Sequence, residues 1–288
     1  MSKTINTTVR INRPAAEVFR LLTTTSELEQ WFAEHARVDL AGGSYGFWGR
    51  YTPGLPSEAQ QQLKGFQQDR SLSYVWHVNG NDTVVEFTLD GDGDATVVKL
   101  VTHGNREWEE GSGSMTDFWV AALENLRLHA HGHAQILRCD YNHVRGPVDC
   151  AVEVASGASA VWEGLTDPGQ LDRFFASGAR VVLEPGGEFS YGWENGGPQS
   201  VVSLEPGRSL EVRWLWGTED DTVVRWELKE SSGRTRISLL HSGFGERKTQ
   251  DYHAGWTSFL VSLKAMLELG SDWSKVQTDG YVPEGATA

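Results

Sequence analysis

The sequence contains two copies of one pattern. The segment TVRINRPAAEVFRLLTTTSELEQWFAEHARVDLAGG starts at Thr8 and reappears as AVEVASGASAVWEGLTDPGQLDRFFASGARVVLEPGG from Ala151, at an offset of 143 residues. Further along, Trp119 matches Trp256. Solenoid repeats are only about 20–50 residues long, so a period of this length indicates two complete domains.

The repeat sets the expected domain boundaries. We predict a first domain at residues 1–138, a linker at 139–146, a second domain at 147–270 and a loosely ordered tail at 271–288. Each domain is then close to the commonest domain size of about 100–150 residues. The tail is expected to be loose because Gly280, Pro283 and Gly285 interrupt it, with order only around Trp273.

Both copies begin with the same local elements. Residues alternate as a strand from Ile5 to Ile11 and again at 148–154, and a helix with one apolar face follows in each copy. A second short helix is expected to begin at a capping box, Ser26-x-x-Glu29, in the first copy. In the second copy the same place reads Asp167-Pro168-Gly169-Gln170, which supplies an acidic cap and a proline at the first helical position.

Each copy continues as alternating strands and ends in a long amphipathic helix around Trp119 or Trp256. The strands have one apolar and one polar face, which is typical of an antiparallel sheet. Because only one face of the sheet is apolar, the helix must lie against it. We therefore predict an α+β chain of two tandem helix-grip domains. Each has a curved antiparallel sheet wrapped around a long C-terminal helix, with two short helices after the first strand.

The second copy carries spaced motifs along its whole length: Val161-Trp162-x-x-Leu165-Thr166-Asp167-Pro168, Leu171-x-x-Phe174-Phe175, Glu184-Pro185-Gly186-Gly187-x-Phe189, Pro206-Gly207-Arg208-x-Leu210, Thr235-x-Ile237-x-Leu239-x-His241-x-Gly243-Phe244 and Gly255-Trp256. This set resembles the domain named after the activator of heat-shock protein 90 ATPase, within the START-like, Bet v-like (polyketide cyclase and lipid transport) superfamily. The resemblance covers most of both copies. It implies a space between sheet and long helix that holds apolar ligands in members of the superfamily and supports chemistry in a minority of them.

Charge and composition narrow the partners. The chain has a formal net charge of −14 without a basic stripe, which argues against nucleic acid and anionic membranes. No segment approaches the roughly 18 apolar residues of a membrane span, and the N-terminal residues lack the apolar core of a signal peptide. The two cysteines, Cys139 and Cys150, do not form a disulfide framework, so a cytoplasmic location is expected.

Aromatic residues give the main candidates for a binding site. The chain has 12 tryptophans, and many occupy matched positions on the predicted inner face. Core packing explains most of them, because a curved sheet and one helix leave wide gaps that large rings fill. A subset could instead border an apolar cavity and offer flat walls with a few hydrogen-bond donors. The candidates are Tyr45, Trp76 and Trp119 in the first copy and Tyr191, Trp214, Trp226 and Trp256 in the second.

Histidines are candidates for a hydrogen-bond donor, a general base or a metal ligand. His241 shares strand parity with apolar residues and is expected to point inward, either as a satisfied core histidine or as a donor or general base with a shifted pKa. The first copy has Thr102 at that position. The His129-Ala-His-Gly-His133 run resembles a metal site, but Gly132 should end the helix there, so we interpret it as linker and assign no metal.

Three functions remain open. The first is non-catalytic binding of a small hydrophobic ligand in one or both sheet–helix cavities. The second is a chaperone-associated or stress-related protein-interaction module, with a chaperone or other protein as the partner. The third is a cyclase- or hydrolase-like enzyme that uses the same cavity. No nucleotide-binding, hydrolase or zinc-protease motif is present, so we assign no cofactor and no catalytic residue, and an enzyme is the less favoured interpretation.

The copies differ in one loop that bears on these functions. From Gly49 to Arg70 the first copy has 21 positions, against 15 from Trp193 to Arg208 in the second. The added residues fall around 53–56 and either border a cavity mouth or form a tolerated surface insertion. If only one cavity works, the second copy, which follows the family pattern more closely, is expected to contain it.

Overall fold

The protein is described by a computed structural model that covers residues 3–54, 61–78, 80–105, 114–133, 136–194, 196–217 and 221–283. Backbone contacts divide the chain into two compact units. The first unit is Met1–His143 together with Ser271–Ala288, and the second is Val144–Gly270. The longer loop of the first repeat falls largely on residues 55–60, which lie outside the described residues.

The described residues form strands and helices in the order that the repeat predicts. In chain order the strands are β1 Lys3–Ile11, β2 His35–Asp39, β3 Ser44–Trp48, β4 Gln62–Gln67, β5 Ser71–Val78, β6 Asn81–Asp92, β7 Ala95–Asn105, β8 Val148–Val154, β9 Arg180–Val181, β10 Phe189–Ser190, β11 Gly196–Glu205, β12 Ser209–Trp216, β13 Thr222–Ser231, β14 Arg234–Ser242 and β15 Gln277–Pro283. The helices are α1 Ala15–Thr23, α2 Thr25–Trp31, α3 Met115–Ala130, α4 Ala158–Thr166, α5 Pro168–Phe174 and α6 Gln250–Leu269.

The first unit is built on one antiparallel sheet in the order β15-β1-β7-β6-β5-β4, with β2 and β3 as a separate pair. Burial alternates along the strands, as in β5, where Leu72, Tyr74 and Trp76 are buried and the residues between them are not. The long helix α3 contacts β1 and buries the stripe that contains Trp119. Burial of this apolar face against the sheet is what holds the helix in place.

The second unit repeats this arrangement with the order β11-β12-β13-β14-β8 and the separate pair β9 and β10. Its closing helix α6 contacts β8 and buries Trp256. In the sequence of both units, the two short helices follow the first strand and precede the other strands. The predicted α+β chain of two tandem helix-grip domains is therefore confirmed.

The C-terminal segment differs from the loosely ordered tail that the sequence predicted. Strand β15 pairs antiparallel with β1, with Ile5 opposite Tyr281 and Thr7 opposite Thr278. Trp273 and Val276, which precede the strand, are buried. The edge of β1 offers unpaired backbone groups, and pairing with them outweighs the turn propensity of Gly280 and Pro283.

Helix caps and one strand also differ between the repeats. Asp167 caps α5 as predicted, and its carboxylate accepts a hydrogen bond from the Gln170 backbone N–H. In the first repeat the predicted capping box is wrong, because α2 begins at Thr25 and places Ser26 inside the first turn. The strand after α5 is also shorter than its counterpart β2, since β9 covers two residues and β2 five, and Leu183 is exposed.

Candidate functional site

In the first repeat the predicted candidates lie on the inner face of the unit. Trp76 comes from β5 and Trp119 from α3, and neither is exposed to solvent. Their ring centroids are 5.9 Å apart with the rings nearly perpendicular. Phe118 packs against both, at 5.5 Å from Trp76 and 4.8 Å from Trp119. These rings form the apolar layer between sheet and helix.

Tyr45 lies at the side of this layer. It stands on β3 opposite Val38, and its hydroxyl donates a hydrogen bond to the Leu22 carbonyl oxygen at 3.0 Å. Burial raises the pKa of the Tyr45 phenol, so it stays protonated at neutral pH. The Tyr45 hydroxyl is committed to the backbone of α1, and its ring contributes an apolar wall.

The two indole N–H groups of this layer differ from ordinary buried donors. Neither Trp76 Nε1 nor Trp119 Nε1 has a hydrogen-bond acceptor within the part of the chain that the structure describes. More than about nine in ten buried polar groups in proteins have a partner, and a buried donor without one costs about 1–3 kcal/mol. The perpendicular ring contacts offer only the weak acceptor of an aromatic face.

In the second repeat the matched tryptophans surround His241. Trp214 on β12 lies 5.4 Å from the imidazole centroid, and Trp256 on α6 donates its indole N–H to His241 Nδ1 at 3.0 Å. Since Nδ1 accepts, the ring proton sits on Nε2 and is donated to Thr222 Oγ1 at 2.7 Å. Both ring nitrogens of His241 are therefore occupied.

The charge state of His241 follows from its surroundings. The side chain is fully buried, and burial, followed by the nearby charge of Arg247, lowers its pKa to about 3. The imidazole is neutral at physiological pH. With Trp256 on one nitrogen and Thr222 on the other, it has no nitrogen left to take a proton from a substrate. The geometry therefore supports the interpretation of His241 as a satisfied core histidine.

The other candidates of the second repeat complete an aromatic layer. Trp226 lies on β13 and packs 5.2 Å from Trp256. Tyr191, just beyond β10, lies 6.2 Å from Trp214. The Trp214 Nε1 donor has no acceptor among the described residues, as in the matched Trp76. The structure thus brings all eight predicted residues to the two inner faces, three in the first unit and five in the second.

At the position of His241 the first repeat is built differently. Thr102 on β7 accepts a hydrogen bond from Asn105 Nδ2 at 2.8 Å, and the same amide reaches the Thr102 carbonyl oxygen at 2.9 Å. Trp119, which matches Trp256, therefore has no imidazole to accept a hydrogen bond from its indole N–H. The substitution at this one position separates the satisfied indole of the second repeat from the unsatisfied one of the first.

Sequence reasoning missed two buried ion pairs on the closing helices. Arg127 bonds the Glu124 carboxylate on α3, and Lys264 bonds Glu268 on α6 at 2.6 Å, with all four side chains buried. The signal was present, because Arg127 follows Leu123 at helical spacing and so lies on the apolar stripe. The same side chains bond further groups: Arg127 donates to the Ser274 carbonyl oxygen, Glu124 accepts from Trp273 Nε1, and Lys264 donates to the Glu153 carbonyl oxygen.

Metal binding has no geometric support in the residues that the structure covers. No group of three or more His, Cys, Asp or Glu side chains comes together there. His129 is held by Glu27 instead, with His129 Nε2 at 2.6 Å from the carboxylate, and Gly132 adopts a positive φ of 81° just after the helix end. Over the same described ranges, no helix combines the length and apolar character that a membrane crossing needs.

Two segments, residues 12–130 and 156–268, match the model of the family described as Activator of Hsp90 ATPase homolog 1-like protein. They make up most of both repeats. A comparison with curated proteins returns no match.

Several solved structures are similar. CalU16 from Micromonospora echinospora is 24% identical over 41% of this chain and 73% of its own, with a TM-score of 0.36. DynU16, described as a putative protein in the dynemicin biosynthetic locus, is 17% identical over 92% of this chain and 98% of its own, with a TM-score of 0.36. The Aha1 dimer from Colwellia psychrerythraea is 20% identical over 44% of this chain and 99% of its own, with a TM-score of 0.40. Identities this low carry no information about a ligand.

Proposed function

The chain belongs to the Activator of Hsp90 ATPase homolog 1-like family, and from that premise we propose that it binds a small hydrophobic ligand, without catalysis, between sheet and closing helix. The observation that carries the proposal is the set of buried indole N–H groups without an acceptor among the described residues: Trp76, Trp119 and Trp214. A ligand that brings an acceptor into the apolar layer explains them. Ligand sites of this kind are mostly apolar with a few placed polar groups.

The apolar character of the layer sets the class of ligand. Tyr45, Trp226 and Tyr191 present ring surfaces, and their neighbours on the inner faces are also aromatic. Among the described residues, charged side chains are buried only where they pair, as Arg127 does with Glu124. A charged ligand group would have to be stripped of water without a partner in this layer, so a neutral ligand is favoured.

Two probes test this function. 2-Acetylnaphthalene is a flat apolar ketone, and 2-ethylnaphthalene has a similar size and shape without the carbonyl. We expect the protein to bind at least one of them with a saturable change in tryptophan fluorescence, and the bound mass to appear in native mass spectrometry and vanish on denaturation. The absence of saturable binding of both probes, together with a bare protein mass in every preparation, contradicts the proposal.

A second candidate function has its own observation. The second repeat exposes Val182, Leu183 and Val202, and backbone bonds between Gly186, Gly187 and Val201 join the segment that contains the first two to β11. Exposed apolar clusters mark surfaces for protein contact. These three exposed apolar side chains are the candidate surface for a chaperone-associated interaction module.

The first repeat supplies a matched control for that surface. Its residues at the positions of Val182 and Val202 are Asp39 and Lys64. The ATPase rate of a purified Hsp90 chaperone is the readout, and the double variant Val182→Asp, Val202→Lys is expected to abolish any stimulation by the wild type. An unchanged ATPase rate with the wild type argues against this candidate.

A further inference from the structure

We infer that the ligand site is in the first repeat, and not in the second as the family pattern led us to expect. We infer further that it takes a flat, neutral, apolar molecule with a hydrogen-bond acceptor, such as an aromatic ketone, held by the indole N–H groups of Trp76 and Trp119. The inference rests on the proposed function and assigns it a location and a ligand chemistry. The two inner faces, which the duplication made equivalent, differ in their packed rings and in their unpaired donors.

In the second repeat three rings fill the end of the layer near the start of α6. We call His241, Phe244 and Tyr252 the ring cluster. Their centroids are 4.4 Å apart for His241 and Phe244, 4.9 Å for His241 and Tyr252, and 4.7 Å for Phe244 and Tyr252. Three mutually packed rings leave little room for a ligand beside Trp214 and Trp256.

The first repeat has no ring at any of the three equivalent positions. Thr102 stands for His241, Asn105 for Phe244 and Met115 for Tyr252. Strand pairing supports the first equivalence, because Thr102 lies opposite Val85 and His241 lies opposite the matching Val224. Two of the three replacements are smaller than an aromatic ring, and the third is the unbranched and adaptable methionine.

At one position the first repeat has the larger side chain. Phe118 of α3 stands where α6 has Gly255, and it packs against Trp76 and Trp119. Phe118 adds a flat wall beside both indoles. A planar ligand body suits a layer bounded by such rings, because offset and edge-to-face contacts are the favourable ones.

The two repeats also differ in their unpaired hydrogen-bond donors. In the second repeat the indole N–H of Trp256 donates to His241 Nδ1, so of the two matched donors only Trp214 Nε1 has no acceptor among the described residues. In the first repeat both matched donors, Trp76 Nε1 and Trp119 Nε1, are fully buried without an acceptor among the described residues. An indole N–H only donates, so the missing partner must be an acceptor.

Hydrogen bonding should make the ketone the better probe. We expect 2-acetylnaphthalene to bind at least about tenfold more tightly than 2-ethylnaphthalene, because a carbonyl satisfies donors that the hydrocarbon leaves unpaired. Indole N–H signals in 15N NMR give the location. On addition of the ketone the indole N–H signals of Trp76 and Trp119 should move downfield. The signal of Trp256, whose N–H already bonds His241, should not move.

Conservative variants test the donors without removing the ring. Trp119→Phe and Trp76→Phe should each reduce the preference for the ketone by about fivefold or more and leave the affinity for 2-ethylnaphthalene within about twofold. Trp48→Phe, the same change on β3 of the first repeat outside the layer, is the matched control and should change neither affinity. NMR of each variant confirms that it is folded.

An exchange between the repeats tests the position that distinguishes them. Thr102→His should give Trp119 an internal acceptor and weaken binding of the ketone about tenfold. If this variant does not fold, the two Trp→Phe variants still test whether the indole N–H groups hold the ketone. Equal affinity for the two probes overturns the acceptor chemistry, and loss of ketone binding in Trp214→Phe but not in Trp119→Phe overturns the location. Failure of both probes to bind the wild type instead removes the proposed function itself.

Discussion

The two repeats place a buried cation at the same position of the closing helix but bond it differently. Arg127 follows Trp119 by eight residues, and Lys264 follows Trp256 by the same interval. The Arg127 guanidinium donates to Glu124 and to the Ser274 carbonyl oxygen, the latter at 2.8 Å. It therefore bonds a segment that lies outside its own copy of the repeat.

Within the part of the chain that the structure describes, Lys264 bonds groups of its own copy. Its Nζ donates to the Glu153 carbonyl oxygen at 2.7 Å and to Glu268, whose carboxylate also accepts from the Ala155 backbone N–H at 2.6 Å. The duplicated fold thus keeps the site of the buried charge, while its partners have diverged. A planar guanidinium with five donors can bridge a carboxylate and a carbonyl, whereas the ammonium is a point charge.

The largest expected effect comes from removing the tail. Truncation after Gly270 deletes β15 and takes Trp273 Nε1 away from Glu124 and the Ser274 carbonyl away from Arg127. We expect the first repeat to lose about 3–5 kcal/mol, the range for breaking up a buried charged network. Hydrogen–deuterium exchange should show lost protection in β1 and unchanged protection in β8.

The conservative variant Trp273→Phe controls for packing in that experiment. It removes one donor to Glu124 and keeps an aromatic ring, so about 1–2 kcal/mol is expected, again in the first repeat alone. Equal loss of protection in β1 and β8 after truncation would show that the tail does not act on the first repeat specifically.

An intermediate effect is the pH response of the second repeat. His241 has a pKa of about 3 in the folded protein, below the ordinary value near 6.5, because burial disfavours its charged form. The unfolded chain therefore binds the extra proton first, and stability falls as pH drops below about 6.5, by about 1.4 kcal/mol per pH unit. Thr102, at the matching position, binds no proton, so in the first repeat the half-buried His131, whose pKa burial also lowers, is the histidine that gives a slope of this sign.

Urea titrations at pH 7.0 and 5.5 measure this difference. The indole NMR signals of Trp119 and Trp256 report the first and second repeats separately. His241→Gln should remove the excess slope of the Trp256 signal. A slope that persists in His241→Gln means that another group causes it and refutes the assignment to His241.

The smallest expected effect is the difference between the N-terminal caps of α5 and α2. Asp167→Ala removes the carboxylate that accepts from the Gln170 N–H and should cost about 1 kcal/mol in the second repeat. Ser26→Ala should change stability by only a few tenths, because Ser26 lies inside α2 and does not cap it. The same urea titration applies, and a cost for Ser26→Ala near 1 kcal/mol would restore the capping box that the sequence predicted.

The architecture could be predicted because it depends on local periodicity repeated twice. Alternation along β5 and β12 and the helical stripes around Trp119 and Trp256 each specify one apolar face, and packing the helix face against the sheet face buries both. The tail was missed because its partner is β1, at the other end of the sequence. Non-local strand pairing leaves no signal in the composition of the segment itself.

The candidate site was predictable only as a set of inward-facing residues. Strand parity places Trp76 and His241 on the inner face, and the structure agrees. Parity does not tell which side-chain atoms find partners. The bond from Trp256 to His241 and its absence for Trp119 depend on a distance across the layer, from the closing helix to the strand that carries His241 or Thr102.

The pairing of β15 with β1 has a consequence for biosynthesis. The ribosome delivers the first copy of the repeat first, then residues 144–270, and only then the strand that completes the first sheet. At about 5–20 residues per second, roughly 7–30 s separate residue 143 from residue 283. During that interval the edge of β1 is open and Arg127 lacks the Ser274 carbonyl, while the second unit has all its strands once residue 270 has emerged. The copy that is translated first is therefore the last to be finished.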